Sequence, residues 1–210
     1  MHQRIVFSDF DGTISASETF TRMLARFTPE LAAELVPAMV EQRLTLREGV
    51  RRLVESIPSA CYEPLLEHLR EIGLRPGLPE LLDFLDARAV PFIVVSAGLR
   101  GMVEAALGAL RARVHAVYAM EADASGPYLR VHSAFEQGDE LLAKVAVMQR
   151  HPAREAVAIG DSITDLQMAL SAPTVFARDR LCDYLDARRH PYLRWQDFHD
   201  VRQALEERWG

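Results

Sequence analysis

Lysine is nearly missing from this chain: of the 24 Lys and Arg residues, only Lys144 is a lysine. A solvated helix face ordinarily uses lysine somewhere. One isolated ammonium points to a place where a compact cation is wanted rather than the planar fork of arginine, the plainer alternative being a surface lysine on an amphipathic helix. Cysteine is also scarce. Cys61 and Cys182 have no ligand spacing around them, which excludes a thiolate metal centre. Nothing demands a disulfide, so a reducing cytoplasm is the expected setting. No run approaches the ~20 apolar residues needed to cross a bilayer, and Met1 to Arg4 lead into a short strand without an apolar leader. A net charge of −6 argues against nucleic acid as the main partner. A small anionic substrate remains compatible with it, through a local cation and a bound metal. The seven histidines are scattered without ligand spacing, and there is no internal repeat or low-complexity tract.

What the chain does have is acids at strand ends. Asp9-Phe10-Asp11-Gly12-Thr13 follows the apolar run Ile5-Val6-Phe7. Residues two apart in an extended segment project to one side, so both carboxylates leave the strand together. Gly12 permits a sharp turn behind them. Two carboxylates in different environments can divide the work of nucleophile and proton carrier; the plainer alternative is a solvated Asp-Gly turn. Gly160-Asp161-Ser162-Ile163-Thr164-Asp165 closes a second apolar run, Ala156 to Ile159, and opens a helix. Asp161 and Asp165 can converge on one hard cation, which takes oxygen ligands, or Asp161 can serve only as a cap. Ser96-Ala97-Gly98 ends a third run and offers a hydroxyl and backbone N–H groups to an anionic oxygen, although it is also common turn material.

Residues 91–96, 114–119, 156–160 and 174–177 join the first run as strands that are apolar on both faces. Helical periodicity falls between them, over 79–87, 99–110, 140–150 and 163–170. The alternation predicts an α/β fold, a Rossmann-like parallel sheet core with helices on both faces. Such sheets bind ligands at the carboxyl ends of their strands, where Asp9, Ser96 and Asp161 fall. Between Ser15 and Leu74 the pattern becomes all-helical, with stretches at 18–27, 29–42, 46–56 and 62–72. Pro29 suits a first turn and Thr28 suits its cap. The expected division is an inserted helical cap domain of residues 15–74 on a core of residues 1–14 and 75–210. The insertion is either a lid over the strand ends or a purely structural subdomain. Residues 120–132, around Ser125-Gly126-Pro127, read as a hairpin or flap, and Trp195 and Phe198 are expected to pack the last helix.

Together, Asp9-x-Asp11-Gly12-Thr13, Ser96, Lys144 and Gly160-Asp161-Ser162-x-x-Asp165 resemble, in order, the four motifs of the haloacid dehalogenase superfamily phosphatases. The helical insertion is similar to the C1 cap of subfamily IB, the branch that contains phosphoserine phosphatases. Residues Thr45 to Val50, Phe176-Ala177-Arg178-Asp179, Pro191-Tyr192 and Gln196-Asp197-Phe198 also resemble the methionine-salvage phosphatases of 2-hydroxy-3-keto-5-methylthiopentenyl-1-phosphate. The resemblance implies Mg²⁺ held by Asp9, the Asp11 main-chain carbonyl and Asp161, with Asp165 acting through water or orienting the lysine. It implies Asp9 as nucleophile, Asp11 as acid and base, and Lys144 as the balancing charge, while Ser96 and the Ala97 and Gly98 amides hold phosphoryl oxygens. Glu18 matches the glutamate with which phosphoserine phosphatases meet an amino group. Val50 falls where they carry an arginine for the carboxylate, which favours a substrate lacking one. The expected partner is a small phosphorylated metabolite, met in the cytoplasm by a monomer or homodimer, with neither membrane nor nucleic acid involved. The alternatives are a phosphoserine phosphatase, a phosphomutase and a retired, non-enzymatic binding fold. The presence of all four motif acids speaks against the last.

Overall fold

The computed structural model of the chain describes residues 2–41, 43–70 and 72–210. Among these residues, one seven-stranded sheet contains β1 (His2–Ser8), β2 (Phe92–Leu99), β3 (Ala116–Asp123), β4 (Arg130–His132), β5 (Ala153–Gly160), β6 (Thr174–Ala177) and β7 (Leu193–Arg194). Their order is β4-β3-β2-β1-β5-β6-β7. The neighbours pair in parallel except β3 and β4, an antiparallel hairpin that matches Glu121 to His132. This realises the α/β expectation, and residues 120–132 form the hairpin expected of them. The strands β4 and β7 were not foreseen, because three and two residues are too few to carry a periodicity.

Four helices fall within residues 15–74: α1 (Thr19–Phe27), α2 (Pro29–Val40), α3 (Leu46–Val54) and α4 (Tyr62–Leu69). The remainder are α5 (Leu78–Asp86), α6 (Arg100–Leu107), α7 (Lys144–Arg150), α8 (Leu166–Leu170), α9 (Asp179–Asp186) and α10 (Phe198–Trp209). Strand alternation divides the core in two. Val6, Val94, Val117, Val157 and Phe176 turn to one face and pack against α5, α6 and α10. Ile5, Phe7, Ile93, Val95, Ala158 and Val175 turn to the other and meet α7, α8 and α9. Each fully buried side chain of this size contributes about 1.5–3 kcal/mol relative to exposure. No described helix is long and apolar enough to cross a membrane.

Several helix boundaries differ from the predicted ones. The helix predicted from residue 140 begins only at Lys144. Before it, Gln137 and Glu140 pair in an isolated bridge and the Ala143 N–H donates to the Phe135 carbonyl (2.9 Å), so the backbone is already engaged outside a helix. Residues Ile163–Asp165 form a 3₁₀ turn ahead of α8, and α6 gives way to a 3₁₀ stretch at Gly108–Arg113. Thr28 occupies the cap position of α2 but accepts no amide there; its hydroxyl leans back to the Leu24 carbonyl (3.4 Å). Gln42, the predicted end of that helix, and Glu71 lie outside the described residues.

The all-helical stretch leaves and rejoins the sheet at one point. Ser15 and Leu74 pair in an antiparallel bridge, and the Arg75 N–H donates to the Ile14 carbonyl (2.8 Å). Its apolar side chains Met23, Leu24, Leu53, Val54, Ile57, Leu65 and Leu69 do not close on themselves. They form one cluster with Leu99, Met102, Met120, Leu129, Val131 and Leu141 from the sheet side. Backbone bonds continue the seam, from the Leu129 N–H to the Ile57 carbonyl and from the Ser59 N–H to the Pro127 carbonyl (both 3.0 Å).

Gly77 starts α5 with a φ of +83°, and a Cβ there would stand 2.5 Å from the His199 amide nitrogen. The obstacle is backbone and cannot rotate away. Gly77→Ala is expected to cost about 1–3 kcal/mol in urea unfolding. Gly73→Ala, whose Cβ would meet nothing within 4 Å, is expected to leave stability unchanged.

Candidate active site

Asp9 follows β1 and is fixed there by its N–H, which donates to the Ile159 carbonyl on β5 (2.9 Å). Asp161 follows β5, Asp165 closes the 3₁₀ turn behind it, and Lys144 begins α7. These four side chains meet. One carboxylate oxygen from each of Asp9, Asp161 and Asp165 lies within 4.8 Å of the others, the only such grouping of potential ligands among the described residues. The Lys144 ammonium donates to Asp9 and to Asp165. All four are buried, Asp165 fully and Lys144 at 2% exposure. The second oxygen of Asp165 accepts the N–H groups of Asp161 and Ser162 (3.0 Å each), so one carboxylate holds both the ammonium and the turn that carries Asp161. Thr13 donates its hydroxyl to Asp161 (2.8 Å). Gly12, at φ +78°, brings the first turn so close that a Cβ would sit 2.5 Å from an Asp161 oxygen.

Three carboxylates share one ammonium. Burial alone would push Lys144 down, but Asp165 and Asp9 outweigh it and hold the ammonium protonated well above its usual range. Burial and the neighbouring Asp165 push Asp161 up to about 7, against the bond from Thr13. Asp9 is likewise raised, first by burial and then by Asp165, with Lys144 pulling the other way. We take the protonated lysine as the fixed charge, because two carboxylates hold it. The cluster is an all-oxygen donor set in want of positive charge, which fits a hard divalent cation such as Mg²⁺.

The other expected residues divide. Ser96 is buried at an irregularity in the β2–β3 register between Val95 and Leu99, a feature that re-aims side chains at sheet rims. Its Oγ accepts the Gly98 N–H (3.0 Å). That amide, expected to face an anionic oxygen, is therefore occupied, and the Ser96 hydroxyl proton is left to donate. Ala97 lines an apolar cavity of about 60 Å³ together with Leu46, Val50, Leu141, Leu142 and Lys144. The Asp11 carboxylate lies outside the grouped oxygens. It accepts the N–H groups of Thr19 and Phe20 (2.8 Å for the latter) and so caps α1. Glu18 stands at the cap position of α1 but makes no cap bond. It is exposed, and partial burial of its carboxylate and the nearby Asp11 raise its pKa. A larger groove of about 530 Å³ along α9 and α10 includes none of the four clustered side chains.

One participant had no sequence signal. Arg75 donates to the carbonyls of Gly12 (2.6 Å) and Thr13 (2.8 Å), fixing the turn beneath Asp11. It acts across a long chain separation, which spacing does not reveal. Thr164, inside the second acidic motif, lines the small cavity.

The family profile of the haloacid dehalogenase-like hydrolases matches residues 6–170. A 2-hydroxy-3-keto-5-methylthiopentenyl-1-phosphate phosphatase from Microcystis aeruginosa (strain NIES-843 / IAM M-2473) is 48% identical over 204 residues, covering 96% of this chain and 97% of that one. The protein of the same name from Bacillus mycoides (strain KBAB4) is 31% identical over 209 residues, covering 96% and 95%. Among solved structures, a phosphoserine phosphatase from T. onnurineus in complex with NDSB-201 superposes with a TM-score of 0.72 at 14% identity, covering 96% of this chain and 94% of that one; at that identity the likeness speaks for the fold alone.

Asp161, ordinarily near 3.8 and here pushed up to about 7, holds its proton more tightly in the folded than in the unfolded chain. The stability this contributes is complete below the ordinary carboxylate range and is lost as pH rises toward 7. Metal-free protein is therefore expected to melt lower at about pH 8 than at about pH 5. Added Mg²⁺ should recover more at the higher pH, where protons no longer compete for the carboxylates. Asp161→Asn should raise the metal-free melting temperature at the higher pH and remove most of the Mg²⁺ response. Thermal melts at the two pH values, with and without the ion, read all three outcomes.

Proposed function

Because the chain belongs to the haloacid dehalogenase-like hydrolases, we propose that it is a Mg²⁺-dependent phosphatase whose substrate is 2-hydroxy-3-keto-5-methylthiopentenyl-1-phosphate, in methionine salvage. The observation that carries the reading is the convergence of Asp9, Lys144, Asp161 and Asp165 from separate segments into one buried cluster. The identity of 48% along nearly the whole of a relative with that name supports the substrate. So does the cavity beside Lys144. Leu46, Val50, Leu141 and Leu142 offer apolar contact, and among the described residues no arginine lines it to receive a carboxylate, while Glu140 adds an acid. Such a wall suits the methylthio end of the substrate, at roughly 0.8 kcal/mol per buried methylene equivalent, and suits phosphoserine poorly.

In the proposed reaction an Asp9 oxygen attacks phosphorus and the ester P–O bond breaks. The departing oxygen takes a proton from Asp11. Water then attacks the phosphorus of the aspartyl-phosphate, gives a proton to Asp11, and restores Asp9 as inorganic phosphate leaves. Lys144 stays protonated throughout and balances Asp9 and the phosphoryl oxygens, while the Ser96 hydroxyl and the Ala97 amide orient those oxygens. Asp9, the Asp11 main-chain carbonyl and Asp161 would hold Mg²⁺, which when bound would supply charge to offset the repulsion between nucleophile and phosphate, about 4 kcal/mol for unit charges 4 Å apart at an effective dielectric of 20. Asp165 acts by orienting Lys144 and the Asp161 turn. Residues 15–74 serve as the cap over a core of residues 1–14 and 75–210, and because α1 is capped by Asp11, the placement of the cap sets the placement of the proton carrier. Cys61 and Cys182 are both unpaired, which suits a reducing cytoplasm.

Phosphate release with Mg²⁺ tests the reading. The kcat/KM for the methylthiopentenyl phosphate should exceed that for phosphoserine by roughly 100-fold or more, and the opposite preference overturns the substrate assignment. Asp9→Asn should fold and lose turnover by at least about 1,000-fold; retained turnover removes the covalent route. Val50→Arg should raise KM for the methylthiopentenyl phosphate by narrowing the apolar wall.

A further inference from the structure

The tail motifs Phe176-Ala177-Arg178-Asp179 and Gln196-Asp197-Phe198 play no part in the chemistry above, yet they converge on Arg75. Besides its bonds to the carbonyls of Gly12 and Thr13, the Arg75 guanidinium donates to the Gln196 carbonyl (3.3 Å) and lies over the Trp195 ring, 5.4 Å from its centroid. Arg178 reaches the same two groups. It donates to the Gln196 carbonyl (2.8 Å) and stands 5.3 Å from the Trp195 centroid. Its backbone N–H donates to the Gly160 carbonyl (3.3 Å), one residue before Asp161. Two like charges placed together repel, and here three main-chain carbonyls, an aromatic face and the Asp179 carboxylate, which accepts from Arg178 (2.8 Å), compensate them.

We propose that Arg75 is a positioning residue for the metal-binding acids. Its planar fork holds the Gly12 and Thr13 carbonyls on the side away from the cluster, so that the Thr13 hydroxyl meets Asp161. Arg178, through the shared Trp195–Gln196 anchor, holds the Gly160 side of the same pair of loops. The two turns that carry Asp9–Asp11 and Asp161 are thereby set at a fixed separation by a brace built from the C-terminal segment. The inference rests on the phosphatase reading only for its kinetic consequence; the brace itself concerns metal affinity.

Mg²⁺ affinity is measured by calorimetry on wild type, Arg75→Gln, Arg75→Lys and Arg178→Gln, with a thermal melt of each and with kcat and KM for para-nitrophenyl phosphate. Arg75→Gln is expected to bind Mg²⁺ roughly tenfold more weakly, which is about 1.4 kcal/mol. Its kcat at fixed Mg²⁺ should fall while KM for the ester changes little. Arg75→Lys should behave like Arg75→Gln, since an ammonium keeps the charge but not the fork. Arg178→Gln should show a smaller loss of affinity in the same direction, and it carries the test if the Arg75 variants do not fold. Arg113→Gln, which removes the ion pair with Asp86 far from the site, should leave Mg²⁺ affinity unchanged. Folded variants with wild-type Mg²⁺ affinity, even with lowered melting temperatures, overturn the proposal. Wild type that binds Mg²⁺ but releases no phosphate from any phosphomonoester counts against the phosphatase reading alone. Active wild type with indifferent variants counts against the brace alone.

Discussion

Lys144 sits between Asp9 and Asp165 with almost no access to water, and the arrangement of the whole cluster depends on that contact. Removing a single charge from water costs several kcal/mol, which an ion pair recovers only with good geometry and further hydrogen bonds. Asp165 supplies both: one oxygen faces the ammonium, and the other accepts two backbone amides. An oxygen of Asp9 lies within 4.8 Å of one from Asp161 and one from Asp165, and one cation against three acids leaves the cluster short of positive charge, unlike a closed salt bridge.

The sheet explains why these groups meet. From β1 the chain builds outward through β2, β3 and β4 on one side, then returns and builds β5, β6 and β7 on the other. The reversal falls between β1 and β5. At such a point the loops leaving the two strands diverge to opposite faces and open a crevice at the carboxyl ends. Asp9 and Asp161 are the first residues past those ends. The helices of residues 15–74 pack onto the sheet side through the apolar cluster around Leu99, Met102 and Met120.

The residues legible in the sequence were those whose local pattern carries their meaning. Asp9, Asp161 and Asp165 stood at the ends of apolar runs, and Lys144 was conspicuous by the lack of any other lysine. The five longer strands were readable because they are apolar on both faces; β4 and β7 were too short. What stayed hidden depends on contacts far apart in the chain. Arg75 carries no local signal until Gly12, Thr13 and Gln196 are seen around it. The Gly98 amide turned from substrate to Ser96, because a register irregularity leaves no trace in composition. Asp11 was legible as an acid, but its hold on the first turn of α1 was not.

The solitary lysine has a practical consequence for anyone handling the protein. Its ε-amine is enclosed and protonated, so it is a poor target for acylating reagents while the chain is folded. Once the Asp9–Lys144–Asp165 contact opens, the sequence offers no other side-chain amine to compete for label. Modification of this one position, followed by mass, would report the breathing of the buried cluster without any engineered probe.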